Sequence, residues 1–260
     1  MAEALVTRGA SVALVDLDSS VVQSAERLGD GRAIGVVADV TNVEAIEGAV
    51  GAAVERFGGV DIVVANAGIA PTPAPMRAMS PAEFERVVEV NLLGVYRTAR
   101  AGMEQIVARR GQAVLVSSVY AFMNGTMLSP YAVAKAGVEQ LGRALRLELA
   151  AHGASATVAY FGFVDTEMVR QAMEQRRQAG VEGEEMLPEF LRRPITPRQA
   201  GEAVARGIEQ RRARVIAPRY WTVMSVLRGV LNPAMDYAGT RLEKVQSIVR
   251  EADRPGRDPS

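Results

Sequence analysis

The feature that most constrains this chain is a series of short, almost unbroken apolar runs set between stretches with helical spacing. Residues 11–17 (SVALVDL), 33–38, 60–65 (VDIVVA), 113–118 (AVLVSS), 156–160 and 214–217 each read as a strand. A strand covered on one face alternates apolar and polar residues, whereas one covered on both faces is apolar throughout, as these are. Residues 2–8, 21–28, 43–57, 80–110, 130–151 and 200–210 carry the three-to-four spacing of helices. This alternation predicts an α/β fold with a parallel sheet and helices on both faces. No repeat and no linker rich in Pro, Gly or Ser divides the 260 residues, so a single domain over 1–260 is expected.

Local signals refine the plan. Ser80-Pro81-Ala82-Glu83 combines an N-cap, a proline in the first turn and a capping-box glutamate. Asn91 lies inside the long helix that follows, where a side chain that competes for backbone bonds is expected to disturb the helix and hold a water. Asn232-Pro233 is expected to interrupt the helical C-terminal region.

Composition removes several kinds of chemistry. There is no cysteine, hence no disulfide, thiolate nucleophile or zinc–cysteine site. The single histidine, His152, stands beside Gly153 at a helix end and reads as a capping or solvated group, so no metal site is expected. Formal charge is zero and no basic stripe is present, which argues against a nucleic-acid partner. No apolar run approaches the ~18 residues of a membrane span, and the N-terminus lacks the pattern of a signal peptide. A cytoplasmic protein is expected. A serine hydrolase is disfavoured because no G-x-S-x-G elbow occurs.

The strongest chemical pattern is Tyr131-Ala-Val-Ala-Lys135. Residues four apart share a helix face, so the ammonium is expected beside the phenol, lowering its pKa from ~10. Tyr131 then becomes usable as a general acid or base. Of the 30 Lys and Arg residues only Lys135 and Lys244 are lysines, so a lysine here is not the chain's ordinary surface cation. Ser118 ends the strand before this helix, and strand ends in such sheets face the ligand crevice.

Asn66-Ala67-Gly68 after a strand, Asn91, Ser118, and Tyr131 with Lys135 together resemble the short-chain dehydrogenase/reductase family. The resemblance covers residues 1–217 and leaves 218–260 as a C-terminal extension. It implies a Rossmann-like doubly wound sheet and an oxidoreductase that passes a hydride between NAD(H) and an alcohol or ketone. Under it, Tyr131 is the acid/base and Ser118 orients the substrate. Lys135 binds the nicotinamide ribose and acidifies the tyrosine, and Asn91 supports a water-linked proton relay. Asn66, Ala67 and Gly68 approach the cofactor, and Asp39 with Val40 matches the adenine contact. Asp16 matches the acidic residue that takes the adenosine ribose. A carboxylate there repels a 2′-phosphate and no arginine follows it, so NAD is expected over NADP. Val164 and Thr166 match contacts to the nicotinamide amide, in a loop where Phe161 replaces the usual proline. The family's habit of pairing through two long helices, about 83–110 and 131–151, implies a homodimer or homotetramer.

One departure stands out. The ribose carboxylate follows the glycine fingerprint by ~20 residues, but here it is residue 16, and no G-x-G-x-x-G occurs in the chain. The first, central strand and its glycine-rich turn are therefore expected to be absent, leaving a gap of two strand spacings, ~9.6 Å. Either Met1 is an internal methionine of a longer protein, the preferred reading, or the short chain is real. In the second case a non-catalytic, family-derived interaction protein with impaired cofactor binding is the alternative.

Phe122, Met123, Met127, Leu128, Phe161, Phe163 and Met168 form the expected substrate wall, pointing to a lipophilic secondary alcohol or ketone. About half of them are expected to be core. Residues 170–193, charged and interrupted by glycine, read as a movable lid or a plain surface excursion. Residues 220–237 carry few charges and aromatic ends. They are expected to cap the cleft, touch a membrane, join a subunit interface or, preferentially, pack on their own domain.

Overall fold

The computed structural model describes residues 1–29, 31–178 and 189–253. Helix α1 (Ala2–Val6) leads into strand β1 (Val12–Asp16), α2 (Ser20–Arg27), β2 (Ala33–Val37), α3 (Val43–Phe57) and β3 (Ile62–Ala65). Helix α4 (Pro81–Val88), a π turn (Glu89–Leu93), α5 (Gly94–Ala101) and α6 (Met103–Ala108) precede β4 (Gln112–Ser118). Then come α7 (Ser129–Ala150), β5 (Ser155–Phe161), α8 (Glu167–Gln178) and α9 (Glu189–Arg192). The chain closes with α10 (Pro197–Glu209), β6 (Arg214–Ala217), α11 (Trp221–Gly239) and α12 (Glu243–Ala252).

Every strand pairing is parallel. The strands nevertheless form two sheets, β1-β2 and β3-β4-β5-β6, with no ladder between β1 and β3 among the described residues. β4 lies inside the larger sheet and all seven of its residues are buried, which is why 113–118 reads as an unbroken apolar run. Successive side chains of a strand point to opposite faces. Ala113 and Leu115 accordingly meet Val95, Ile106, Val138 and Leu149 of the α5–α7 layer. Val114 and Val116 meet Val204 and Ile208 of α10, with Met1 and Leu5 of α1 closing that face. Full burial of a side chain such as Leu115 contributes about 1.5–3 kcal/mol.

β1 differs from the expectation of a strand covered on both faces. It is half-buried, and Val15 and Asp16 are exposed, because its ladder has a partner on one side only. The smaller sheet is held by α2 lying on β2 and by α3 packing on α5. Gly35 of β2 permits the first contact. A Cβ there would stand 2.5 Å from Val22 Cα and 2.6 Å from the Val21 carbonyl, both backbone. Gly35→Ala is expected to push α2 off the strand and cost about 1–3 kcal/mol, read as a lower midpoint in urea with unchanged slope.

Two local expectations are corrected. Ser80 does cap α4, accepting from Glu83 N at 3.2 Å, but the Glu83 carboxylate accepts from Thr72 N at 3.1 Å rather than completing the box. Asn232-Pro233 does not interrupt the C-terminal helix, since α11 runs through Pro233. Gly229, whose carbonyl loses its partner to the proline, is exposed together with Pro233, so water can take the place of the missing N–H. The expected lid is helical over α8, while its central part, 179–188, lies outside the described residues.

Candidate functional site

The C-terminal ends of β4 and β5 and the first turn of α7 converge on an apolar cavity of about 100 Å³. Engineered protein cavities of ~150 Å³ accept a benzene-sized group. The cavity is smaller than that, so a ring-sized group would lie against the wall and extend through the open side. Ser118 and Tyr131 both line it. Pro130 lies in the first turn of α7, which also carries Tyr131. The Ser118 hydroxyl donates to the Phe161 carbonyl and accepts from Tyr120 N, both at 3.3 Å, and it neighbours the Tyr131 phenol. Tyr120 stands edge-on to Tyr131, ring centres 5.9 Å apart.

Burial holds the Tyr131 phenol above its ordinary range, and the neighbouring Ser118 hydroxyl pulls the other way. The expectation that Lys135 acidifies this phenol is not met in this geometry. Lys135 shares the helix face, its Nζ lying 5.6 Å from the Tyr131 ring centre, but it donates to the Val116 carbonyl at 3.0 Å. Its side chain is buried, and desolvation brings its pKa down to about 8. Ser117, which the sequence did not single out, donates to the Lys135 carbonyl at 2.8 Å and ties α7 to β4.

Asn91 is fully buried in the π turn. Its Nδ2 donates to the Ile69 carbonyl at 2.8 Å, and its Oδ1 accepts from Ile69 N at 2.7 Å. The disturbed helix was legible in the sequence, and the side-chain amide is taken up in clamping the loop after β3. The clamp brings Gly68 beside Lys135. A Cβ on Gly68 would stand 3.1 Å from Asn91 Oδ1 and 3.6 Å from Lys135 Nζ. Asn66, Ala67 and Gly68 thus follow the end of β3, with Gly68 beside the lysine.

The other predicted positions are spread along the sheet ends. Asp16 closes β1, exposed, and its Oδ1 accepts from Asp18 N at 3.0 Å. Asp39 accepts from Thr41 N at 2.8 Å, and Val40 packs against Gly94 of α5. Val164 bridges to Ile195. Thr166 precedes α8 and accepts from Val169 N at 3.3 Å.

Of the expected substrate wall, Leu128, Phe163 and Met168 line the cavity. Phe122 and Met123 are core, packed with Tyr160 and Trp221. Phe161 packs on the β4–α10 cluster. Met127 is buried with φ at +64°, and its carbonyl accepts from Ala74 N. That bond holds the loop that brings Ala70, Pro71 and Pro73 to the cavity, walls the sequence reading missed along with Tyr120, Ala172 and Met173. Among the described residues no group of three His, Asp or Glu could hold a metal ion.

A hydroxyl pair at the end of a parallel sheet, backed by a buried ammonium, defines an enzyme that handles an alcohol or carbonyl oxygen. Residues 1–177 match the model of the short chain dehydrogenase family, and the chain belongs to that family. It is 34% identical over 181 residues to the 3-oxoacyl-[acyl-carrier-protein] reductase of Vibrio cholerae, covering 69% of this chain and 73% of that one. It is 32% identical over 211 residues to the cis-4-hydroxycyclohexanecarboxylate dehydrogenase of Sinomonas cyclohexanicum, covering 78% and 81%. The crystal structure of the 3-ketoacyl-(acyl-carrier-protein) reductase from Brucella melitensis complexed with NADH superimposes with a TM-score of 0.70 at 27% identity, over 83% of this chain and 89% of that one. The protein is an oxidoreductase acting on CH–OH groups. No helix among the described residues is long and apolar enough to cross a membrane.

Proposed function

We propose that the protein transfers a hydride between NAD(H) and a lipophilic secondary alcohol or its ketone, with Tyr131 as acid/base. The observation that carries this reading is the pairing of the Ser118 and Tyr131 hydroxyls on the wall of an otherwise apolar cavity. The residues fit a nicotinamide ribose. Lys135 has three donors, of which one goes to Val116, and Gly68 offers a backbone approach beside it that any Cβ would narrow. Lys135 and Gly68 would hold that half, with Val164 and Thr166 toward the amide, and Asp16, Asp39 and Val40 toward the adenosine. The exposed Asp16 carboxylate supports NAD over NADP. Bound NAD(H) supplies or accepts the hydride at the substrate carbon.

The chain's own residues handle the oxygen. Ser118 donates to the carbonyl oxygen and fixes its position. Tyr131, a phenol protonated at neutral pH and held so more firmly by burial, delivers the proton that completes the alcohol; in oxidation the phenolate takes it back. Lys135 places a positive charge behind the phenol, and Asn91 keeps the Gly68 loop against that charge. The apolar walls exclude water and select a lipophilic body. A screen of secondary alcohols and ketones, followed by nicotinamide absorbance with NAD and NADP, is expected to give turnover on alicyclic or aryl ketones with NADH. Activity confined to small polyols would contradict the substrate assignment.

The split sheet bears on the rest of the site. The gap between β1 and β3, with β1 exposed along its end, supports a further parallel strand and a glycine-rich turn at that place. Such a turn would cradle the pyrophosphate on backbone N–H groups. The same gap is the one observation that favours the second reading, an interaction protein with impaired cofactor binding. Exposed Leu93 and Tyr96 beside α5, and Val133 and Leu147 on α7, support pairing of two copies through these helices.

A further inference from the structure

We infer that α11 is a two-fold interface at which a second copy of this chain packs antiparallel to the first. One face of the helix is spent on its own domain. Trp221 and Ser225 are buried, and Arg228 is held by Glu139 of α7 at 2.8 and 2.9 Å. The opposite face carries Val223, Val226, Leu227 and Val230 at helical spacing, 63%, 65%, 47% and 75% exposed. It continues through Pro233 and Ala234 to Tyr237. From Thr222 to Ala234 this exposed face holds no charged side chain. Contiguous apolar patches of this kind mark interaction surfaces.

The face is self-complementary. Val230 stands at the midpoint of α11. An antiparallel two-fold about it sets Val230 on Val230, Leu227 on Pro233, Val226 on Ala234 and Val223 on Tyr237. Bulky side chains then meet small ones, and Gly229, with open space where a Cβ would stand, lets the backbones approach. The result is an isologous contact, in which the same patch serves both copies. The exposed apolar surface is on the order of 600 Å² per copy, so pairing covers about 1,200 Å², the size at which stable interfaces begin. A membrane surface fits less well. Helices that lie on lipid carry cations along their polar face, whereas the one cation within α11 is tied to Glu139. This face is separate from the α5 and α7 surfaces, so the two contacts can build a larger assembly together.

The absence of cysteine permits a direct test. Facing Cα atoms of helices packed 8–10 Å apart lie about 4–5 Å from each other, within disulfide reach. Under mild oxidation Val230→Cys is expected to link to itself in more than half of the chains. Val223→Cys alone is expected to stay unlinked, but to link when mixed with Tyr237→Cys. Val230→Glu is expected to halve the mass measured by light scattering while far-UV dichroism stays unchanged. Absence of the Val230→Cys link together with an unchanged mass for Val230→Glu would overturn the inference. So would co-sedimentation of the wild-type protein with anionic phosphatidylserine vesicles that is lost in Val230→Glu, if no link forms.

Discussion

Tyr131→Phe is expected to lower turnover by about 10²–10⁴-fold, the range a positioned acid/base supplies, while leaving the thermal midpoint nearly unchanged. The ring remains to line the cavity and to meet Tyr120 edge-on; only the phenol oxygen is lost. The pH dependence follows from the same geometry. Because burial raises the phenol's pKa, the proton needed for ketone reduction is present at neutral pH, and reduction is expected to be flat there. Alcohol oxidation needs the phenolate, whose fraction grows tenfold per pH unit below its pKa, so oxidation is expected to climb with pH. Lys135, at about 8, loses its charge in that window, and the climb is expected to bend near there. Near-normal turnover in Tyr131→Phe, or oxidation that falls from pH 6 to 8, would rule this mechanism out.

Lys135→Met is expected to abolish turnover and yet raise the melting temperature at pH 7. A lysine whose pKa falls from 10.5 to about 8 on folding carries a cost of about 3 kcal/mol when it stays charged. Losing the charged bond to the Val116 carbonyl takes back about 2 kcal/mol. The net gain of about 1 kcal/mol corresponds to roughly 2–4 °C for a domain of this size. The sign follows from proton linkage. Between pH 8 and 10.5 the unfolded chain holds a proton that the folded one has released, so wild-type stability from this group rises with pH across that window. The advantage of the variant is therefore full below pH 8 and gone by about pH 10.5. Scanning calorimetry at both pH values checks it, and a lower midpoint than wild type at pH 7 would contradict it. An enzyme that keeps such a residue exchanges stability for function.

The sheet was legible in the sequence because strands covered on both faces leave continuous apolar runs. Five of the six strands fall within a residue of their expected limits, and the run 60–65 starts two residues late, at Ile62. What sequence could not supply is tertiary. The spacing of Tyr131 and Lys135 correctly placed them on one helix face, but the sign of the phenol's shift depends on desolvation, which spacing does not encode. Asn91 was recognisable as a misfit in a helix; that its amide would close on Ile69, 22 residues away, was not. An apolar residue beside a predicted site looks the same whether it lines a cavity or fills a core. Hence Phe122 and Met123 went to the cluster under Trp221, while Pro71 and Pro73 arrived by way of a loop fixed at Met127. Glu83 shows the same limit at short range. Its place in a capping box was a sound local reading, and a loop eleven residues earlier took its carboxylate instead.

A calorimetric titration of NADH into the protein reaches the centre of this account most directly. One NADH per chain is expected, with affinity reduced at least tenfold in Lys135→Met and kept in Tyr131→Phe. No measurable binding to the wild-type protein, or binding indifferent to the loss of Lys135, would contradict it.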